Sequence, residues 1–191
     1  MMNHFPREWL NLQYLDPERF LVGLREIALT LPPDVHYKVA SLRTHDLRKA
    51  SESRQAALFA HGMGQVLRTP IVFAISEAQD YDAVVKYATD GKINYIPIQL
   101  KEWVPNFLNP SATLQSELDK LSKYTDSKDL AVAFHLNRDA TIHLSQLKFP
   151  HGKIGALWFY GATDLAQKRW RLIGNLMLPG ASAYEFHYPV T

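Results

Sequence analysis

The chain has 191 residues, a length typical of one domain with its own hydrophobic core. Hydrophobic residues make up 47% and charged residues 21% of it, which excludes an intrinsically disordered chain. The net charge of +2 neither requires nor excludes nucleic acid as a partner, because the local clustering of charge matters more than the sum. Cysteine is absent, so disulfides, thiolate nucleophiles and cysteine-bound metals are excluded.

The distribution of apolar residues argues against a membrane protein. No apolar run approaches the ~18 residues of a membrane-spanning helix. Residues 1–10 also lack the basic and then apolar pattern of a secretion signal. With no repeat and no long linker in view, we expect a single cytoplasmic domain over residues 1–191 that does not contact a membrane.

The first third of the chain is predicted to be mainly helical. Asp16 is a typical helix cap and Pro17 a typical first helical residue, and this helix is expected to end near Leu31. A short strand is predicted over residues 37–39. A second helix is predicted over residues 51–67, where a serine stands at the cap position and small and apolar residues recur on one face.

Three strands are predicted to follow, and they are residues 71–76, 82–88 and 93–103. Residues 89–92 contain Asp-Gly and predict a hairpin turn between the second and third of these strands. Pro97 lies inside the third strand, and proline cannot donate to a strand ladder. It therefore predicts an edge position or a bulge.

The remaining elements predict a layered α/β or α+β protein with a mixed sheet flanked by helices. A helix is predicted at residues 111–124 and a buried strand at 129–136. The C-terminal part is expected to form a β-rich extension, with strands at residues 154–160, 171–178 and 184–188.

The third predicted strand has two different faces, because side chains alternate along a strand. Ile98 and Leu100 lie on an apolar face that we expect to pack on a helix. Gln99 and Lys101 lie on the opposite face, which we expect to open onto a cleft. Asp82 begins the preceding strand and is expected to approach this Gln99–Lys101 pair across the hairpin.

These residues and the helix–strand–strand–strand–helix–strand order of residues 51–136 resemble the PD-(D/E)xK nuclease superfamily, whose fold is called restriction-endonuclease-like. Its signature is an acid at the start of the second core strand, then (D/E/Q)-x-K on the third. Asp82 matches the acid, and Gln99-Leu100-Lys101 matches the variant with glutamine found in Mrr-type restriction enzymes. Glu52 matches an acid that many members carry on the preceding helix. The resemblance implies an αβββαβ core at residues 51–136, and the strands predicted after this core form the β-rich extension at residues 137–191.

The activity implied by the resemblance is metal-dependent hydrolysis of phosphodiester bonds in nucleic acid, with DNA as the expected substrate. Mg²⁺ or Mn²⁺ would be held by Asp82, the Gln99 side chain and the backbone carbonyl of Leu100. Lys101 would orient the attacking water or stabilise charge on the phosphate, and Glu52 would assist from the helix. The implied catalytic residues are thus Glu52, Asp82, Gln99 and Lys101.

Simpler interpretations of the same residues stay open. Gln99 and Lys101 are polar and are also what the solvated face of a strand would contain. The (D/E/Q)-x-K pattern occurs four times in this chain, so the tripeptide by itself does not indicate a site. Asp82 is a common turn residue, and Glu52 suits the first turn of any helix. Glu77 and Asp80 lie in the loop before Asp82 and are alternatives to the acids of the site.

Two other classes of function stay open beside hydrolysis. Because Gln99 lacks the charge of the usual acid, the fold could serve as a non-catalytic nucleic-acid-binding module. The near-neutral charge and the aromatic residues of 158–160 and 184–188 also fit a protein-interaction module of the antitoxin or immunity type. Those aromatic residues would cover the core sheet or form a homodimer contact.

Overall fold

The computed structural model describes residues 6–77 and 80–190. The chain divides into two compact units, one made of residues up to 97 with 188–190 and the other of residues 98–187. The expectation of a single domain over residues 1–191 stays a prediction. No helix in the described part of the chain is long and apolar enough to cross a membrane.

In the part of the chain that the structure describes, seven strands form one mixed sheet in which neighbours in the chain are neighbours in the sheet. They are β1 (Ile71–Ile75), β2 (Ala83–Thr89), β3 (Lys92–Trp103), β4 (Ser127–Leu136), β5 (Ile154–Ala162), β6 (Arg169–Gly174) and β7 (Ser182–His187). Strand β4 pairs in parallel with both β3 and β5, whereas β1–β2, β5–β6 and β6–β7 are antiparallel. The predicted α/β class with a mixed sheet and helices is confirmed.

Four α-helices accompany the sheet in the described residues, and they are α1 (Pro17–Thr30), α2 (Tyr37–Ala40), α3 (Arg48–Leu67) and α4 (Leu114–Asp119). Asp16 caps α1 as predicted, because its Oδ1 accepts from the backbone N–H of Arg19 at 2.9 Å. The strand predicted at residues 37–39 is wrong. This exposed segment forms the short helix α2, whose first turn is closed by His36 Nδ1 accepting from the backbone N–H of Lys38.

The core of the first unit lies between α1, α3 and β1. Residues 56–62 of α3 are buried, and the Leu21 side chain of α1 is fully buried. Phe20 meets Phe73 of β1 edge to face, with ring centroids 5.6 Å apart. The ring contact joins α1 to β1, and α3 packs against both of these elements, directly before the loop that leads to Asp82.

The core of the second unit lies between the sheet and the α4 segment. Phe134 and Phe159 are fully buried on adjacent strands, and Leu118 and Leu121 are buried in α4 and in the 3-10 turn (Lys120–Lys123) that follows it. The helix predicted from residue 111 begins only at Leu114, because Thr113 caps it by accepting from the backbone N–H of Ser116.

Two predicted strand features have local explanations. The pairing of β3 with β4 begins at Ile98, directly after Pro97. Pro97 has no N–H to donate, and it lies outside the stretch that pairs with β4. Strand β6 ends at Gly174 rather than at residue 178, because Oδ1 of Asn175 accepts from the backbone N–H groups of Leu157 and Met177.

Candidate functional site

Glu52 lies in the first part of α3, on the same helix face as Arg48. Arg48 Nε donates to Glu52 Oε1 at 2.9 Å, and the Glu52 side chain is only 24% exposed. This hydrogen bond and the charge of Glu52 raise the pKa of Arg48 above its usual value. Glu52 is therefore a half-buried carboxylate that already has a guanidinium partner.

Asp82 lies directly before β2, where the sequence places it. Its backbone carbonyl accepts from the N–H of Ser76 at 2.9 Å, which closes the loop between β1 and β2. The charge of Asp82 also contributes, after that of Glu52, to the raised pKa of Arg48. The structure thus brings Glu52 and Asp82 into the electrostatic field of one guanidinium.

The two alternative acids behave differently from each other. Glu77 pairs with Lys49 of α3, and this hydrogen bond and charge lower the pKa of Glu77 below its usual value. Asp80 lies exposed in the same loop. Glu77 is therefore an ion-pair partner at the helix surface, and Asp80 shows no described contact that would assign it a role.

Gln99 is buried, with 7% of its surface exposed, so this position of β3 is not a solvated face, and the expected opening onto a cleft stays a prediction. Its Oε1 accepts from the hydroxyl of Tyr124 at 2.7 Å. Its Nε2 donates to the carbonyl of Leu100 over a long 3.4 Å. The segment after α4 covers this side of the strand, which the alternation of residues within β3 does not reveal.

Lys101 is half-buried on the same face of β3 as Gln99, in register with Phe134 of β4. Leu100, which lies between Gln99 and Lys101, is buried.

The sequence predicted Tyr124 only as the end of a helix and not as part of the site. Tyr124 follows leucines with helical spacing, so the sequence indicates that the helical segment ends there. No local pattern indicates that the Tyr124 hydroxyl donates a hydrogen bond to Gln99.

The described residues contain no group of three or more His, Cys, Asp or Glu side chains placed to hold a metal ion. The predicted ligand set is of another kind, because it combines one carboxylate, one carboxamide and one backbone carbonyl. All three are oxygen donors, which Mg²⁺ prefers. Asp82, Gln99 and Leu100 thus each offer an oxygen atom of the kind that a hard divalent cation takes as a ligand.

The first unit also contains a cavity that the sequence did not predict. It has a volume of about 220 Å³ and is lined by Glu8, Trp9, Leu12, Ser76, Glu77 and Tyr81. Trp9 Nε1 donates to the Tyr81 hydroxyl at 2.7 Å, and that hydroxyl donates to Glu8 Oε1 at 3.1 Å. Tyr81, the residue directly before Asp82 in the sequence, is thus held by Trp9 and Glu8.

Comparison of the chain with protein-family models, with curated proteins and with solved structures returns no match. A functional assignment therefore depends on the residues of the chain and on their placement in the fold.

Proposed function

We propose that this protein is a metal-dependent hydrolase of phosphodiester bonds in nucleic acid, with DNA as its substrate, on a restriction-endonuclease-like core. One observation carries the proposal, namely where the candidate residues lie along the elements of residues 48–136. Glu52 is on α3, Asp82 directly precedes β2, and residues 99–101 lie in the half of β3 that pairs with β4. The intervening elements follow the αβββαβ order.

The donor chemistry supports a hard cation as cofactor. Asp82 offers a carboxylate, Gln99 a carboxamide oxygen and Leu100 a carbonyl oxygen. When bound, Mg²⁺ or Mn²⁺ supplies Lewis acidity and lowers the pKa of a bound water. Because Gln99 is neutral, this set attracts a cation less strongly than the usual pair of acids would.

The remaining side chains have roles that follow from their charges. The ammonium of Lys101 would stabilise negative charge that develops on the phosphate, or would orient the attacking water. The Glu52 carboxylate would pair with Arg48 and would also add negative charge near Asp82. Each role depends on charge, so each can be removed by a neutral substitution.

The proposal is tested by incubating the protein with linear and supercoiled DNA in the presence of Mg²⁺ or Mn²⁺. We expect cleavage that EDTA abolishes, and a loss of about 100-fold or more in Asp82→Ala and Lys101→Ala. Lys92→Ala is the matched control, because Lys92 ends another copy of the tripeptide pattern at the exposed first position of β3. Absence of metal-dependent cleavage in the wild type, or equal cleavage in all variants, would refute the proposal.

A second candidate is a non-catalytic nucleic-acid-binding module. The observation that favours it is the neutral, buried Gln99, whose carboxamide oxygen already accepts from Tyr124. Such a module would bind DNA with an affinity that falls steeply with salt and would show no turnover. Fluorescence anisotropy at 50 and 200 mM salt, beside the cleavage assay, distinguishes the two functions.

A further inference from the structure

The hydrogen bond between Tyr124 and Gln99 links two residues that are 25 positions apart in the chain. A buried carboxamide needs hydrogen-bond partners, because an unsatisfied polar group costs free energy in an apolar environment. The Tyr124 hydroxyl supplies one at 2.7 Å, whereas the bond from Gln99 Nε2 to the Leu100 carbonyl is long at 3.4 Å. Of these two bonds, the one from Tyr124 is the stronger constraint on the carboxamide.

Tyr124 itself is held firmly. It follows the 3-10 turn (Lys120–Lys123), and its N–H donates to the carbonyl of Leu121 at 3.1 Å. Leu121 is fully buried, and the ammonium of Lys123 lies 5.0 Å from the centre of the Tyr124 ring. The hydroxyl is therefore presented to Gln99 by an anchored segment.

This arrangement leaves Gln99 able to act as a ligand. A carboxamide oxygen has two lone pairs, so Oε1 can accept from Tyr124 and still coordinate a cation. Without the hydroxyl, rotation about the last side-chain bond would exchange the oxygen for the NH₂ group, which cannot coordinate. The terminal torsion of glutamine is broad, so little else in the side chain itself prevents this rotation.

We propose that Tyr124 is a positioning residue that directs the Gln99 carboxamide oxygen toward the divalent cation, an inference that rests on the proposed function. Residues that orient a metal ligand typically contribute about 10- to 100-fold to metal affinity. We therefore expect Tyr124→Phe to weaken Mn²⁺ binding by at least about tenfold.

The test is isothermal titration calorimetry of Mn²⁺ binding to the full chain. Tyr184→Phe is the matched control, since Tyr184 is a partly exposed tyrosine on β7. Gln99→Ala and the double variant Gln99→Ala/Tyr124→Phe complete a double-mutant cycle. In the Gln99→Ala background, we expect Tyr124→Phe to change Mn²⁺ affinity less than about twofold, because the side chain it directs is gone. Thermal unfolding followed by circular dichroism checks that each variant is folded.

The outcomes separate the two ideas. If the wild type binds Mn²⁺ and cleaves DNA but Tyr124→Phe binds Mn²⁺ unchanged, the positioning role is refuted and the proposed function stands. An equal loss of affinity in both backgrounds would show a general structural effect and would also refute the positioning role. If the wild type neither binds Mn²⁺ nor cleaves DNA, the proposed function fails and the positioning role fails with it.

Discussion

Arg48 and Glu52 lie one turn apart on α3, and their side chains join through a 2.9 Å hydrogen bond. The charge of Asp82 also raises the pKa of Arg48, so the guanidinium would compete with a cation for the negative charge of Glu52 and Asp82. Arg48→Ala should therefore increase Mn²⁺ affinity by no more than about fivefold, because solvent screens the charge of the exposed Arg48 side chain. Titration calorimetry at low salt measures this change.

The opposite substitution provides the control. Glu52→Gln removes negative charge and should lower Mn²⁺ affinity, whereas both variants should change the free energy of unfolding little, because the Arg48 side chain of the pair is exposed to solvent. The effect of Arg48→Ala should also shrink in 1 M salt, where the Debye length is about 3 Å. A decrease in Mn²⁺ affinity on removal of Arg48 would contradict the competition.

Arg138 is expected to hold the loop that follows β3. Its guanidinium donates to the carbonyl oxygens of Val104 at 3.0 Å, Ala112 at 2.8 Å and Asn109. Arg138→Ala would leave these carbonyls without that donor and should lower the free energy of unfolding by about 2–4 kcal/mol. Arg138→Lys should recover little of it, because one ammonium lacks the planar fork of donors.

Urea unfolding measures both Arg138 variants against Arg7→Ala, which alters an exposed arginine in an N-terminal 3-10 turn. Arg7→Ala should stay within about 0.5 kcal/mol of the wild type. A similar small change for Arg138→Ala would show that the loop does not depend on this guanidinium.

Gly155 lies at an irregularity in the pairing of β4 with β5. A Cβ atom at Gly155 would lie 1.9 Å from the backbone oxygen of Lys128, so one strand would have to move. We expect Gly155→Ala to cost about 2–4 kcal/mol of unfolding free energy. Gly23 is the matched control, since it lies within α1 with nothing within 4 Å of its Cβ position. Gly23→Ala should stabilise the protein by about 0.5–1 kcal/mol in the same urea titration, and equal effects at the two glycines would contradict the steric argument.

Asp164 closes the turn between β5 and β6. Hydrogen bonds from the backbone N–H of Lys168 and from Arg169 hold the pKa of Asp164 below its usual value. A carboxyl with a lower pKa in the folded state stabilises the fold above its unfolded pKa of about 3.9, and this contribution is lost as the pH falls through the folded pKa.

The melting temperature of Asp164→Asn should therefore lie below that of the wild type at pH 7, and the gap should close at a pH below about 3.9. Calorimetric melting curves at several pH values measure the gap. A gap for Asp164→Asn that persists unchanged into acid would contradict the assignment.

Features set by neighbours in the chain were predictable. The Asp90-Gly91 turn is present, and both residues adopt the left-handed φ angles, 50° and 71°, that such hairpins need. Asp16 caps its helix for an equally local reason, since the N–H it satisfies belongs to a residue three positions later. The α/β class followed because hydrophobic period and turn chemistry are short-range signals.

The sequence alone determined the order of the helices and strands over residues 48–136. It also determined the placement of Glu52 on a helix, of Asp82 beside a strand start, and of Gln99 and Lys101 on one strand face. Only the tertiary structure decided that Gln99 is buried and that Tyr124 is its partner. The reason is that alternation along a strand tells which residues share a face, but what covers that face depends on a distant segment folding onto it. The carboxamide of Gln99 is oriented by such a segment, anchored through the buried leucines of α4 and the turn after it.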